Sequence, residues 1–306
     1  MTELTEFQKK ITVSLPEVTI FLQESMAKHT SFRLGGAAEA MAFPKDENEL
    51  ARLLQWAKDE LCKVAILGAG TNVLAPDEGV KGLVICLKDC LDGMELLSGN
   101  VLRVASGVTM TRAAVFAAKN GLSGLEFAHG IPGTVGGGVY MNAGAYGGEI
   151  SMACKAVRVM AMDGSIRELT AEEMEFSYRH SVLEDEGGIV LSADFALTPG
   201  DPEVIRAKMR ELQQKRSASQ PLDLPSAGSA FKRPVGGYAA ALIDQAGLKG
   251  FRVGDAAIST KHAGFAVNVG SATAEHVKQL LQQVSDKVYE QTGIRLEPEI
   301  RIWENE

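Results

Sequence analysis

The segment Gly68-Ala69-Gly70-Thr71-Asn72 closes a short apolar run, Val64-Ala65-Ile66-Leu67. A glycine turn at the end of a buried strand can present successive backbone N–H groups to a phosphate. A tight turn between two elements uses the same residue types, so taken alone the segment fits both readings. Its spacing is not G-x-G-x-x-G, which disfavours a Rossmann site. A second segment, Gly130-Ile131-Pro132-Gly133-Thr134-Val135-Gly136-Gly137-Gly138, continues through Asn142-Ala143-Gly144 to Gly148. Glycine at this density costs backbone entropy, which implies that something approaches the main chain closely. Interleaved apolar residues and the lack of linker serines argue against a flexible tether.

Four further patterns accompany these two. They are His29-Thr30-Ser31-Phe32-Arg33-Leu34-Gly35-Gly36, Tyr178-Arg179-His180-Ser181, Gly228-Ser229-Ala230-Phe231-Lys232 and Glu297-Pro298-Glu299-Ile300-Arg301. Together, and in this order from residue 29 to 302, they closely resemble the UDP-N-acetylenolpyruvoylglucosamine reductase family of bacterial cell-wall synthesis. The short passage from Arg179 to Gln220-Pro221-Leu222 resembles the shorter, type II form, since it leaves no room for the insert of the longer form.

The resemblance implies noncovalent FAD, with NADPH as co-substrate and a sugar nucleotide as the small-molecule substrate. The diphosphate of FAD is expected on Gly68–Asn72. The flavin is expected near Gly130–Thr134, Gly136, Gly137, Asn142-Ala143-Gly144 and Val190, with Thr134 close to it. In the family reaction NADPH gives hydride to the flavin, and the reduced flavin gives hydride to C3 of the enolpyruvyl ether. Charge then develops at C2 and in the neighbouring carboxylate. Arg179 matches the family's arginine, whose fixed planar donors suit that carboxylate. Ser229 matches the residue that protonates C2. Glu299 matches the C-terminal glutamate, and beside a growing negative charge it is expected to have its pKa raised by burial. Tyr178, Lys232 and Arg233 are expected at the substrate, the two cations at its diphosphate. Read without the resemblance, Arg179 is a surface charge, Ser229 a turn residue and Glu299 a solvated strand end. Gly138 stands where the family commonly has alanine. Ala240-Ala241 replace a usual Gly-Lys and so remove a cation. His262 reads as a packed, hydrogen-bonded histidine.

The elements that must hold these residues mix hairpins with helices, which predicts an α+β fold. By resemblance this is a two-subdomain FAD-binding module of the vanillyl-alcohol-oxidase (PCMH) type over residues 1–205, divided near 88 and 89. A C-terminal α+β substrate-binding domain follows over 206–306. The first helix is expected after Pro44, with Asp46 and Glu49 as a capping pair. Strands are expected at 64–67, 83–87 and 101–105, and a helix at 110–119 ends near Gly121. Asp163-Gly164 predicts a hairpin between 156–162 and 165–169. The alternation Ile189, Leu191, Ala193, Phe195, Leu197 predicts a half-buried strand. Asp201-Pro202 predicts a helix start, 217–229 a loop, 273–290 a helix and 299–303 a final strand.

The composition fits these expectations. The chain has 306 residues, 45% of them apolar, so it can bury a sizeable core without a metal or disulfide. Its net charge of −8 argues against a nucleic-acid partner. Any anionic ligand must then be held by local dipoles and a few placed cations. Cys62, Cys86, Cys90 and Cys154 show no zinc-site spacing and read as reduced thiols, in keeping with a cytoplasmic protein. Residues 1–28 lack the apolar stretch of a signal peptide, and no run is long enough to span a membrane. Two rivals remain: another flavin-dependent oxidase or dehydrogenase of the same superfamily, and a nucleotide-binding regulatory module without turnover.

Overall fold

A computed structural model describes residues 4–305. Its first helix precedes Pro44. Thr5 accepts from the Gln8 N–H at 3.2 Å, and the Gln8 side chain accepts from the Thr5 N–H at 3.1 Å. This reciprocal capping box starts the helix Glu6–Ser14, whose Ile11 is buried. The helix Glu47–Asp59 starts as expected, with Asp46 accepting from the Glu49 N–H at 2.8 Å. Glu49 reaches one residue further back than a capping box requires, to the N–H of Lys45.

Contacts divide the chain into two units. The first runs to Leu22 and then comprises Ala40–Ala69 and Gly82–Lys215; the second comprises Gln23–Glu39, Gly70–Lys81 and the chain from Arg216 on.

In the first unit the helix Glu47–Asp59 buries Leu50, Leu53, Leu54 and Ala57 in a cluster with Leu83, Ile85 and Ala42. The strand Val64–Leu67 pairs in parallel with Val80–Cys86 at the edge of a four-stranded sheet, which continues through Ala37–Phe43 to Thr19–Ser25. A five-stranded antiparallel sheet runs in the order Ile166–Thr170, Cys154–Met160, Ile189–Ala196, Val101–Ala105, Met94–Leu97. Its first two strands form the expected hairpin, and Gly164 takes the left-handed φ of +85° that the turn needs.

The middle strand is buried along Ile189–Phe195 rather than on alternate residues. Its polar positions are accommodated by pairing: Asp194, 8% exposed, receives two 2.7 Å hydrogen bonds from Arg103 on the neighbouring strand. Such a bidentate pair compensates a carboxylate taken out of water. The helix Met110–Lys119 begins at its Thr109 cap and buries Ala113, Ala114, Ala117 and Ala118.

The second unit holds a four-stranded sheet in the order Ser226–Ser229, Phe265–Asn268, Ala256–Ile258, Arg252–Val253. The helix Ala274–Thr292 covers it, with Val277, Leu280, Leu281, Val284 and Val288 all within 2% exposure. Each such side chain stabilises the unit by about 1.5–3 kcal/mol through burial alone. Thr273 caps this helix and Gly293, at φ +71°, ends it. Segments distant in sequence are joined here, because Val73–Leu74 lies parallel to Arg301–Ile302. The expected loop at 217–229 is shorter: the helix Pro202–Ser219 takes its first residues and the strand Ser226–Ser229 its last.

Candidate active site

In the first unit the two glycine segments meet side by side. Thr134, 2% exposed, caps the short helix Val135–Tyr140 and accepts from the Gly137 N–H at 3.4 Å. A Cβ built on Gly68 would lie 2.6 Å from Thr134 Oγ1, so any larger residue there must push the two apart. Among the described residues no acceptor meets the N–H groups of Gly68, Ala69, Gly133 or Thr134. N–H groups without a protein acceptor in such buried or half-buried residues favour a ligand that brings oxygens or ring acceptors to them. This lip fits a dinucleotide cofactor carrying a diphosphate, with no basic surface required.

Half of the glycines in the second segment have another cause. A Cβ on Gly136 would meet Ser106 at 2.8 Å, on Gly138 the Met110 sulfur at 2.9 Å, and on Gly148 the Phe127 ring at 2.7 Å. A Cβ on Gly144 would come within 2.7 Å of Glu149. At these four positions the close neighbour is the protein itself. Gly137, by contrast, is exposed and has room beside it. Ser106 is thus a residue the sequence reading missed. Its carbonyl accepts from the Gly136 N–H at 2.9 Å and supports the loop, and only an unremarkable Ser-Gly after a strand announced it.

Arg179 sits in a tight turn closed by mutual Ser177–His180 hydrogen bonds, at a left-handed φ of +57°. That conformation costs a non-glycine residue about 1 kcal/mol or more, and it is the kind of strain found at functional positions. Its guanidinium lies 5.0 Å from the Tyr178 ring centroid and donates to the Gly144 carbonyl at 3.1 Å. Two fully buried side chains fasten the turn to the glycine segment. Asn142 donates to the Ser177 carbonyl at 2.9 Å and accepts from the Ser151 N–H at 3.0 Å. Ser181 donates to the Tyr140 carbonyl at 2.7 Å. The amide of Asn142 is therefore committed to the scaffold, and the Ala143 main chain bonds to Gly138 and Ile150. Val190 is 4% exposed, with its side chain in the hydrophobic core.

The second unit carries Gly70, Thr71, Asn72, Ser229, Lys232, Arg233 and Glu299. Gly70 is at φ +61°, and a Cβ there would lie 2.0 Å from the His29 carbonyl. Ser229 ends its strand exposed, opposite Phe265. Glu299 is half-buried, and its N–H donates to the carbonyl of Ala230, the residue after Ser229, at 3.0 Å. The pairing continues as Lys232 N–H to the Glu297 carbonyl, so the serine and glutamate segments run together. Lys232 is bound to the Glu297 carboxylate, while the Arg233 guanidinium lies 4.5 Å over the Tyr238 ring. His262 packs edge-on to Phe265 and accepts from the Gly264 N–H at 3.1 Å, in the structural role expected of it.

Burial holds three of the thiols protonated, raising Cys86 and pushing Cys154 up to about 12 and Cys90 to about 11. Burial also lowers the pKa of His129 beside the second glycine segment, which favours its neutral form. Among the described residues no group of three or more His, Cys, Asp or Glu could hold a metal, and no helix is long and apolar enough to cross a membrane.

Comparison with known proteins bears on both units. Residues 38–170 match the family model described as FAD binding domain. Residues 220–303 match the one described as UDP-N-acetylenolpyruvoylglucosamine reductase, C-terminal domain. The chain is similar to the UDP-N-acetylenolpyruvoylglucosamine reductase of Agathobacter rectalis, 43% identical over 97% of this chain and 98% of that protein. It is also similar to that of Levilactobacillus brevis, 44% identical over 95% of each. Among solved structures it resembles the UDP-N-acetylenolpyruvylglucosamine reductase of Thermus caldophilus, with a TM-score of 0.81 and 38% identity over 94% of this chain and 99% of that one.

Proposed function

The chain belongs to the UDP-N-acetylenolpyruvoylglucosamine reductase family, and from that premise we propose that it uses NADPH to reduce the enolpyruvyl ether of UDP-N-acetylglucosamine to UDP-N-acetylmuramate, a step of peptidoglycan precursor synthesis in the cytoplasm. The observation that supports this best is the contact of Gly68 with Thr134, which sets two glycine segments side by side where several N–H groups have no backbone acceptor among the described residues. FAD, when bound, supplies a carrier that accepts hydride from a nicotinamide and passes it to carbon.

The residues of this chain do the remaining work. Gly68, Ala69 and the Gly133–Thr134 peptides hold the cofactor by backbone dipoles, which suits a protein of net charge −8. Gly130, Ile131, Pro132, Gly136 and Gly137 flank that lip. Asn142 and Ser181 act one step back, fixing the turn that presents Arg179. Arg179 takes the substrate carboxylate, and its planar fork stabilises charge that grows there as C2 becomes carbanionic. The Ser229 hydroxyl gives its proton to C2. Glu299, on the segment paired with that of Ser229, orients the serine and restores its proton. Arg233, held over Tyr238, is the cation proposed for the substrate diphosphate; Lys232 can join it only by giving up Glu297.

Ser229→Ala tests the proton assignment. Reduction of bound FAD by NADPH is retained in this variant, while reoxidation by the enolpyruvyl substrate is abolished. If both half-reactions remained fast, Ser229 would not be the proton donor.

A further inference from the structure

Two side chains tie the second half of the first glycine turn to the segments that carry Ser229 and Glu299, all within the second unit. Ser31 donates its N–H to the Gly70 carbonyl at 3.0 Å. Its hydroxyl lies 2.6 Å from the Ser226 carbonyl and 3.4 Å from that of Gly70. A hydroxyl has one proton to give, and the shorter, stronger contact takes it. Asn72 donates its amide to the Glu299 carbonyl at 3.1 Å, and its own carbonyl accepts from the Arg301 N–H at 3.0 Å. Ser226 opens the strand that ends at Ser229. The turn is therefore linked by one side chain to each segment, across sequence separations of 195 and 227 residues.

Gly70 also has little freedom of its own. It is buried, at positive φ, and packed against the His29 carbonyl. The Gly70 peptide thus turns only together with the His29–Ser31 segment, and Ser31 carries that movement to Ser226.

We propose that Ser31 is a positioning residue that couples occupancy of the Gly68–Asn72 turn to the placement of the Ser226–Ser229 strand, so that cofactor binding organises the residue that donates the proton. The proposal rests on the flavin reading above. A phosphate drawn to the N–H groups of the turn fixes the Gly70 peptide, whose carbonyl orients Ser31, whose hydroxyl holds Ser226. Such coupling is reciprocal, so substrate seated against Ser229 also tightens the cofactor in its turn.

Hydrogen exchange on FAD-stripped protein, before and after FAD is added, tests this in wild type, Ser31→Ala and Ser31→Thr. In all three, FAD protects residues 68–72. In wild type and Ser31→Thr it also protects 226–230, and in Ser31→Ala that second protection disappears while protection at 297–301, served by Asn72, remains. Calorimetry then finds that the gain in affinity for the enolpyruvyl sugar nucleotide on FAD loading shrinks by about five-fold or more in Ser31→Ala. Should that variant not fold, Ser31→Cys, a weaker donor, gives the same comparison. Equal protection of 226–230 in the serine-less variant overturns the proposal, as does loss of protection everywhere, which would make Ser31 part of the general scaffold. Failure of the wild type to bind FAD at all defeats the flavin reading itself and is seen separately.

Discussion

Gly68→Ala isolates the close approach to Thr134 that underlies the proposed cofactor lip. The backbone at Gly68 is not in the left-handed region, so alanine brings no conformational penalty, only one added carbon. That carbon would lie 2.6 Å from Thr134 Oγ1, whereas the Thr134 carbons would lie at 3.8 and 3.9 Å, ordinary contact distances. Relief requires one wall of the lip to retreat by roughly 1 Å, and overpacking of this kind costs about 1–3 kcal/mol. If the strain falls on the bound state, FAD affinity drops by about ten- to a hundred-fold. Fluorescence titration of stripped protein with FAD measures this, and thermal melting of the stripped protein separates it from general destabilisation. Thr134→Ala removes the clashing oxygen, so Gly68→Ala should cost little further affinity in that background, beyond the roughly 1 kcal/mol of the lost helix cap. An undiminished affinity in Gly68→Ala, or the same penalty with and without the Thr134 hydroxyl, refutes the steric reasoning.

Other perturbations follow from the same geometry. Arg179→Lys keeps the charge but loses the planar fork, and kcat should fall by about a hundred-fold or more with the flavin spectrum unchanged, as read by steady-state kinetics and absorbance. Asn142→Ala removes one of two donors to the Ser177 carbonyl, which keeps the His180 N–H, and takes the acceptor from the half-buried Ser151 N–H, so denaturant unfolding should show a loss of about 1–3 kcal/mol. The hydrogen bond from His29, reinforced by Lys28, holds the Glu24 carboxyl below its ordinary value of 4.5. A carboxyl with its folded pKa depressed contributes stability above the unfolded value, and that stability is lost as pH falls through the folded one. Melting curves between about pH 5.5 and about 3 should therefore fall less steeply for Glu24→Gln than for wild type.

Local patterns in the sequence carried much of the fold. An alanine-rich run ending near Gly121 marked Met110–Lys119, the Asp163-Gly164 dipeptide marked its hairpin, and Thr273 marked the start of the last long helix. The helix Glu6–Ser14 was also announced, by Thr5 and Gln8, but its short apolar stripe and mixed charges hid it. What no local pattern holds is the partner. The alternation at 189–197 reads as a half-buried strand, because nothing near Asp194 shows that Arg103, 91 residues earlier, will neutralise it in the interior. The pairing of Val73–Leu74 with Arg301–Ile302 is equally distant. At the site, Gly68 and Thr134 were legible as candidates. The glycine count of the second segment overstated the ligand's share, since Gly136, Gly138, Gly144 and Gly148 are glycine to make room for the protein's own atoms. Asn142, read as a cofactor contact, has its amide spent on fastening the Arg179 turn. A sequence shows that the main chain is approached closely but not by what.

The central claim, a flavin reduced by NADPH and reoxidised by an enolpyruvyl sugar nucleotide, is tested most directly by the visible spectrum of the purified protein in the absence of oxygen. The protein should show a flavin band that bleaches with NADPH and returns in full when the sugar nucleotide is added. A protein that retains no flavin, or one whose band bleaches and stays bleached in the presence of that substrate, contradicts it.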